Sequence, residues 1–153
     1  MMERPILTPD LDGESVDQTY YRSMIGSLMY LTASRPNVMF AVFQCARYQA
    51  NPKLSHFIVV KRILRYLKRC PKLGLWYPKN PEFDLYAFAD SNYGGWELDR
   101  KSTSGGCQFL GDRLVSWQCK KQHTVSTSTT EAEYVAESAC CFQVIWIQHQ
   151  QLD

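Results

Sequence analysis

A chain of 153 residues, 45% hydrophobic and 21% charged, has room for one ordinary domain or two small ones, and its composition is globular rather than disordered. No apolar run reaches the roughly 20 residues of a membrane span. Met1-Met2-Glu3-Arg4-Pro5 lacks the apolar core of a secretory signal, so the expectation is an intracellular protein, cytoplasmic or nuclear, without a membrane partner. The net charge of +2 conceals an asymmetry: from Gln18 to Pro81 there are eleven Lys and Arg and no acid, whereas acids outnumber bases from Glu82 onward. This contrast, with the linker-like Pro78-Lys79-Asn80-Pro81, sets an expected boundary near residues 74–82 and domains of 1–74 and 75–153.

Taken in chain order, residues 1–16 are polar, contain Pro5 and Pro9, and read as an extended lead-in. A helix is predicted after Asp17, a good N-cap residue, through Tyr21, Ile25, Leu28, Met29 and Leu31. Arg35-Pro36-Asn37 interrupts it, and a second helix is expected over Val38 to Tyr48 before Asn51-Pro52. A third runs from about Ser55 to Arg69 and stops ahead of Pro71, with Phe57, Val60, Leu64 and Leu67 expected to face a core. On its other side Lys61, Arg65 and Lys68 are spaced to stack as a ridge, flanked by Arg62 and Arg69. Clustered cations with no interspersed acid suit a phosphate-tracking face, while a solvated helix surface ordinarily mixes signs.

After Gly74 the pattern becomes alternating. Leu75-Trp76-Tyr77 and Leu85 to Asp90 read as strands, the latter with Tyr86, Phe88 and Asp90 on one face. Gly94-Gly95 punctuates the chain, and Gly106 to Leu110 with Arg113 to Cys119 form an expected hairpin across Gly111-Asp112. A long final helix is predicted over residues 129–151. The six cysteines include no Cys-x-x-Cys pair, and His56, His123 and His149 show no ligand spacing to them, so reduced thiols are expected rather than a zinc site.

Ser128-Thr129-Thr130-Glu131 has the capping-box form, which assigns Glu131 to the N-cap amide and Ser128 to the third helical amide. Glu133 lies about 200° further round a helix of 3.6 residues per turn, over Ala136, Cys140 and Val144. A carboxylate on such an apolar stripe is costly unless paired, protonated or metal-bound. With Asp90 at a strand end in the same region, the two acids together read as half of a metal-dependent nuclease site.

The surrounding motifs carry a specific resemblance. Phe88-Ala89-Asp90-Ser91-Asn92-Tyr93-Gly94-Gly95, Asp99-Arg100-Lys101-Ser102-Thr103-Ser104-Gly105, Val115-Ser116-Trp117 with Lys120-Lys121-Gln122, and Ser128 to Ala136 occur in that order. They resemble the ribonuclease H region of copia-type retrotransposon Pol polyproteins. Upstream, Tyr21 to Thr32, Ser34-Arg35-Pro36 and Lys61 to Lys68 resemble the thumb or connection segment that joins the reverse transcriptase to that domain. The resemblance runs from about Asp17 to Leu152.

It implies an α/β fold, α+β overall: a helical connection region followed by an incomplete ribonuclease H-like fold of antiparallel strands 1–3 and the first long helix. It further implies that Asp90 is the first catalytic Asp and Glu133 the catalytic Glu. Both would be ligands to Mg²⁺ or Mn²⁺ in the hydrolysis of RNA in RNA–DNA hybrids. Asn92 stands where the family commonly has a second Asp, and the family's third and fourth carboxylates would fall beyond Asp153. The expectation is therefore a Pol segment inactive by itself. A non-catalytic nucleic-acid-binding module using residues 53–72 is the alternative, and a nuclease completed in trans by other parts of Pol is the third reading. Tyr-x-Asp-Asp, the polymerase signature, is absent from the sequence.

Overall fold

The computed structural model describes residues 7–79, 83–95 and 99–152. The expectations placed on residues 1–6, 80–82 and 96–98 lie outside these. The chain divides into two compact units, Met1–Gly74 and Leu75–Asp153.

In the first unit, α1 (Gln18–Leu31) starts where Asp17 caps it, the carboxylate accepting from Tyr20 N at 2.6 Å. Its inward stripe is Tyr21, Ile25 and Leu28, whereas Met29 is more than half exposed. Next, α2 (Pro36–Ala46) begins two residues earlier than expected. Proline is pre-set for the first helical turn, where its missing N–H costs nothing, so Pro36 opens the helix instead of delaying it. It ends at Ala46, two residues before the predicted Tyr48. α3 (Leu54–Arg69) buries His56, Val60 and Ile63. Of the expected stripe of Phe57, Val60, Leu64 and Leu67, Val60 is buried and Phe57 and Leu67 pack partly buried against the core, whereas Leu64 is 41% exposed and His56 and Ile63 take the inward places beside Val60. The three helices enclose one cluster of Tyr21, Ile25, Leu28, Val38, Val42, Cys45, Val60 and Ile63. Each such aliphatic or aromatic side chain contributes about 1.5–3 kcal/mol through burial. The Tyr21 hydroxyl is satisfied inside the cluster by donating to the Cys45 carbonyl at 2.9 Å.

In the second unit, β1 (Leu85–Asn92), β2 (Thr103–Leu110) and β3 (Arg113–Lys121) form an antiparallel sheet in the order β1-β2-β3. The hairpin turns at Gly111-Asp112, with Leu110 opposite Arg113 and Gly111 at φ +56°, a backbone that glycine adopts without cost. Its strands reach beyond the predicted bounds, to Thr103 at one end and Lys121 at the other. Leu75-Trp76-Tyr77, expected as a strand, belongs to no ladder; Tyr77 is tied instead through its hydroxyl to the Leu114 carbonyl at 2.8 Å. Then α4 (Thr129–Leu152) packs on β1 and β2 through Ala132, Ala136 and Cys140. Small side chains at these positions let the helix approach the strands closely.

The architecture is thus mixed α/β, with four helices and a three-stranded antiparallel sheet among the described residues. It has the arrangement of the first three strands and first helix of a ribonuclease H-like fold.

Candidate functional site

Asp90 is the sixth residue of β1 and pairs with Gly105 of β2. A glycine opposite leaves the space beside the carboxylate open: a Cβ at Gly105 would meet only the Asp90 carbonyl, at 4.0 Å. Strand alternation places Asp90 with Tyr86 and Phe88, as expected. The side chains joined to α4 belong to the other face: Gln108, opposite Ala87, donates to Cys140 Sγ at 3.4 Å. Ser104, opposite Ser91, accepts from Gln122 Nε2 at 2.9 Å. Asp90 therefore projects from the face of β1 that α4 does not cover, and it is exposed.

Glu133 lies in the second turn of α4, next to the buried Ala132. It is exposed, so the desolvation cost expected of an acid on the Ala136–Cys140 stripe does not arise. Neither Asp90 nor Glu133 takes part in an ion pair among the described residues. The structure packs their two elements together. Among the described residues no three His, Cys, Asp or Glu side chains are grouped to hold a metal.

The donor set fits a hard divalent cation in kind, since carboxylate oxygens free of competing cations are what Mg²⁺ and Mn²⁺ select. It falls short in number: two side chains leave most of an octahedral shell to water, phosphate or further acids.

The start of α4 is held by residues whose role was not legible from spacing. Gln122, 5% exposed, donates to the Ala132 carbonyl at 2.9 Å as well as to Ser104, and its own carbonyl accepts from Ser126 Oγ at 3.0 Å. A single buried amide thus ties the end of β3, the strand β2 and the first turn of the helix together. Below it, Ser128 Oγ accepts from Glu131 N at 3.1 Å, as the capping box requires. The Glu131 carboxylate reaches one residue further back than expected, accepting from Thr127 N at 2.6 Å and Thr127 Oγ1 at 2.7 Å rather than from the N-cap amide. These two Thr127 hydrogen bonds, the side-chain one foremost, hold Glu131 below the ordinary range for its carboxyl.

Nearby, Lys121 pairs with Asp99, whose other oxygen accepts from Lys101 N at 3.1 Å. Desolvation pushes the Asp99 carboxyl up, but the Lys121 and Lys101 contacts together outweigh it and hold the group low.

In the other unit, Lys61, Arg62, Arg65, Lys68 and Arg69 are all exposed on the side of α3 opposite His56, Val60 and Ile63. None enters an ion pair among the described residues. Lys61 Nζ sits 4.2 Å from the centre of the Phe57 ring, which steadies the start of the ridge.

The chain is 36% identical over 96% of its length to the retrovirus-related Pol polyprotein from transposon RE2 of Arabidopsis thaliana, of which it covers 10%. It is 40% identical over 85% of its length to an uncharacterized mitochondrial protein of the same plant, covering 54% of that protein. A third relative is the secreted RxLR effector protein 161 of Plasmopara viticola, 35% identical, of which the chain covers 90%. Over most of its length the chain is thus homologous to a segment of retrovirus-related Pol polyproteins from transposons. It spans about half the length of the mitochondrial relative and about a tenth of the RE2 polyprotein. No family model matches the chain, and no solved structure matches it.

Proposed function

We propose that this segment runs from the end of a copia-type reverse transcriptase into its ribonuclease H domain. On this reading Asp90 and Glu133 are two of the carboxylates that hold divalent metal for cutting RNA in RNA–DNA hybrids. The observation that carries the reading is the pairing of elements: an open, unpaired carboxylate on β1, and another in the early turns of the helix packed across that strand. Mg²⁺ or Mn²⁺, when bound, would supply activation of water and stabilisation of the leaving oxygen. The chain's own contribution is to hold oxygen donors in place. Asp90 is fixed by the β1–β2 ladder opposite Gly105, and Glu133 by the Gln122 and Ser128 contacts at the helix start.

Two donors hold such cations weakly, so we infer that residues 1–153 bind metal poorly and do not cleave hybrid unaided. Mn²⁺ titration followed by electron paramagnetic resonance tests the assignment. Weak binding that disappears in both Asp90→Asn and Glu133→Gln supports it; binding unchanged in both removes these two residues from the role.

A second reading is favoured by the α3 surface: nucleic-acid binding without chemistry, through Lys61, Arg62, Arg65, Lys68 and Arg69. Five exposed cations with no acid among them on one helix suit a phosphate backbone. Other parts of Pol are the remaining proposed partners.

A further inference from the structure

Among the described residues β1 and β3 are the outer strands of the sheet, and their free edges are unlike. β3 has Arg113 at one end and Lys120 and Lys121 at the other, and Val115 is an extra residue where the register shifts between Gln108 and Phe109. Cations and bulges of this kind discourage a foreign strand from adding to an edge. β1 contains no cation and no proline, and its register against β2 is unbroken. Residues 86–90 are all exposed.

The backbone phase of β1 follows from its first contact. Gly111 N donates to Asp84 O at 2.7 Å, and continuing the register from Leu85 opposite Leu110 puts these two residues opposite each other. Bonded and non-bonded pairs alternate along an antiparallel ladder. Tyr86, Phe88, Asp90 and Asn92 therefore bond to β2, while the N–H and C=O groups of Leu85, Ala87, Ala89 and Ser91 point away from it. Ala87 and Ala89 are exposed, so α4 leaves that edge accessible although it packs on β1.

The strand is also complementary to a second copy of itself. Two β1 strands running antiparallel with Phe88 opposite the partner's Phe88 bring Ala87 opposite the partner's Ala89 and Leu85 opposite the partner's Ser91. The outward-facing residues then meet as hydrogen-bonded pairs, about eight bonds in all. Phe88 meets its counterpart at a non-bonded position, where side chains are closest, and Asp90 meets the partner's Tyr86, so no like charges face each other. Tyr86 and Phe88 are 52% and 62% exposed on the face that α4 leaves open, and Phe88 stands edge-on to Phe109 with centroids 6.0 Å apart. Pairing joins these rings into one aromatic strip across both copies. Seven residues of edge and two half-exposed rings bury less than the roughly 800 Å² per partner of a stable interface. The association is therefore reversible and depends on concentration.

We propose that β1 is a self-recognition edge, through which the chain forms a two-fold symmetric dimer with its β1 strands paired antiparallel about Phe88. Pairing β1 with β1 closes the assembly, whereas β1 on a partner's β3 would leave edges free to grow.

Sedimentation of the intact chain from micromolar to millimolar concentration, with amide exchange followed residue by residue by NMR, tests the edge. A monomer–dimer equilibrium is expected. In the dimer the amides of Ala87, Ala89 and Ser91 gain about tenfold protection or more, whereas those of Tyr86, Phe88 and Asp90 are protected at every concentration. Ala89→Pro removes an outward N–H and no bond to β2. It is expected to stay monomeric while the Phe88 and Asp90 amides remain protected. Should that variant not fold, Phe88→Lys, which sets two cations opposite each other at an exposed position, carries the same expectation of a monomer. A parent chain still monomeric at millimolar concentration would overturn the proposal. So would a dimer that leaves the Ala87 and Ala89 amides unprotected, a dimer that persists in the folded variants, or growth beyond the dimer with protection along the outer edge of β3.

Discussion

Glu131 and Cys45 show how single residues here carry charge or lose it. The Glu131 carboxylate is held low by Thr127, so its ionised form favours the folded helix start. With the folded value depressed, that contribution is complete above the ordinary glutamate range near 4.5 and disappears as pH falls through the lowered value. Acid fraying at the start of α4, followed by amide exchange of residues 127–132, is expected to flatten in Glu131→Gln. Ser128→Ala removes the cap itself and should cost about 1 kcal/mol of unfolding free energy in urea. Burial pushes the Cys45 thiol up to about 12, leaving almost no thiolate near neutrality. In the folded protein at pH 8, iodoacetamide is expected to modify the exposed Cys141 first and Cys45 last. Early modification of Cys45 would show that the helical core opens readily. Asp17 and Ser128 were legible as caps because a short polar side chain before an apolar period has one economical use. His56 was not, because nothing local reveals that a histidine can satisfy both nitrogens inside a helix junction.

At the scale of elements, helices were easier to read than strands. The three- and four-residue spacing of Tyr21, Ile25 and Leu28 identifies α1 by itself, and the turn at Gly111-Asp112 identifies the hairpin. Leu75-Trp76-Tyr77 misled because an apolar triplet fits a strand until the absence of a partner is known, and pairing is a long-range property. On α3 the expected stripe held at Phe57, Val60 and Leu67 and failed at one position for a related reason: Leu64 is apolar but outward, and the polar His56 takes an inward place. The ridge on the outward face carries a direct expectation. If α3 tracks phosphates, affinity for RNA–DNA hybrid will fall steeply with salt, by roughly 0.9 in log–log slope per neutralised phosphate on a duplex. Replacing Lys61, Arg65 and Lys68 together by alanine will then flatten that slope by about two to three. A slope that does not respond to the triple change would remove α3 from nucleic-acid contact.

Across the whole molecule, the Pol relationship was legible because long motifs recur in a fixed order, which neither composition nor periodicity could have supplied. The placement of Asp90 on a strand and Glu133 on the long helix was legible as well, but not their surroundings. That Asp90 leaves the uncovered face of β1 follows from which residues of β2 reach α4, and no spacing within β1 states it. The helical unit depends on its single apolar cluster, so Ile25→Ala should cost about 2–5 kcal/mol of unfolding free energy measured in urea. The central claim concerns chemistry, and one measurement addresses it most directly. The purified chain would be incubated with labelled RNA–DNA hybrid and Mg²⁺ or Mn²⁺, beside Asp90→Asn and Glu133→Gln. The account predicts no cleavage by any of the three proteins. Metal-dependent cleavage by the parent chain that is lost in both variants would contradict it, because two carboxylates would then suffice.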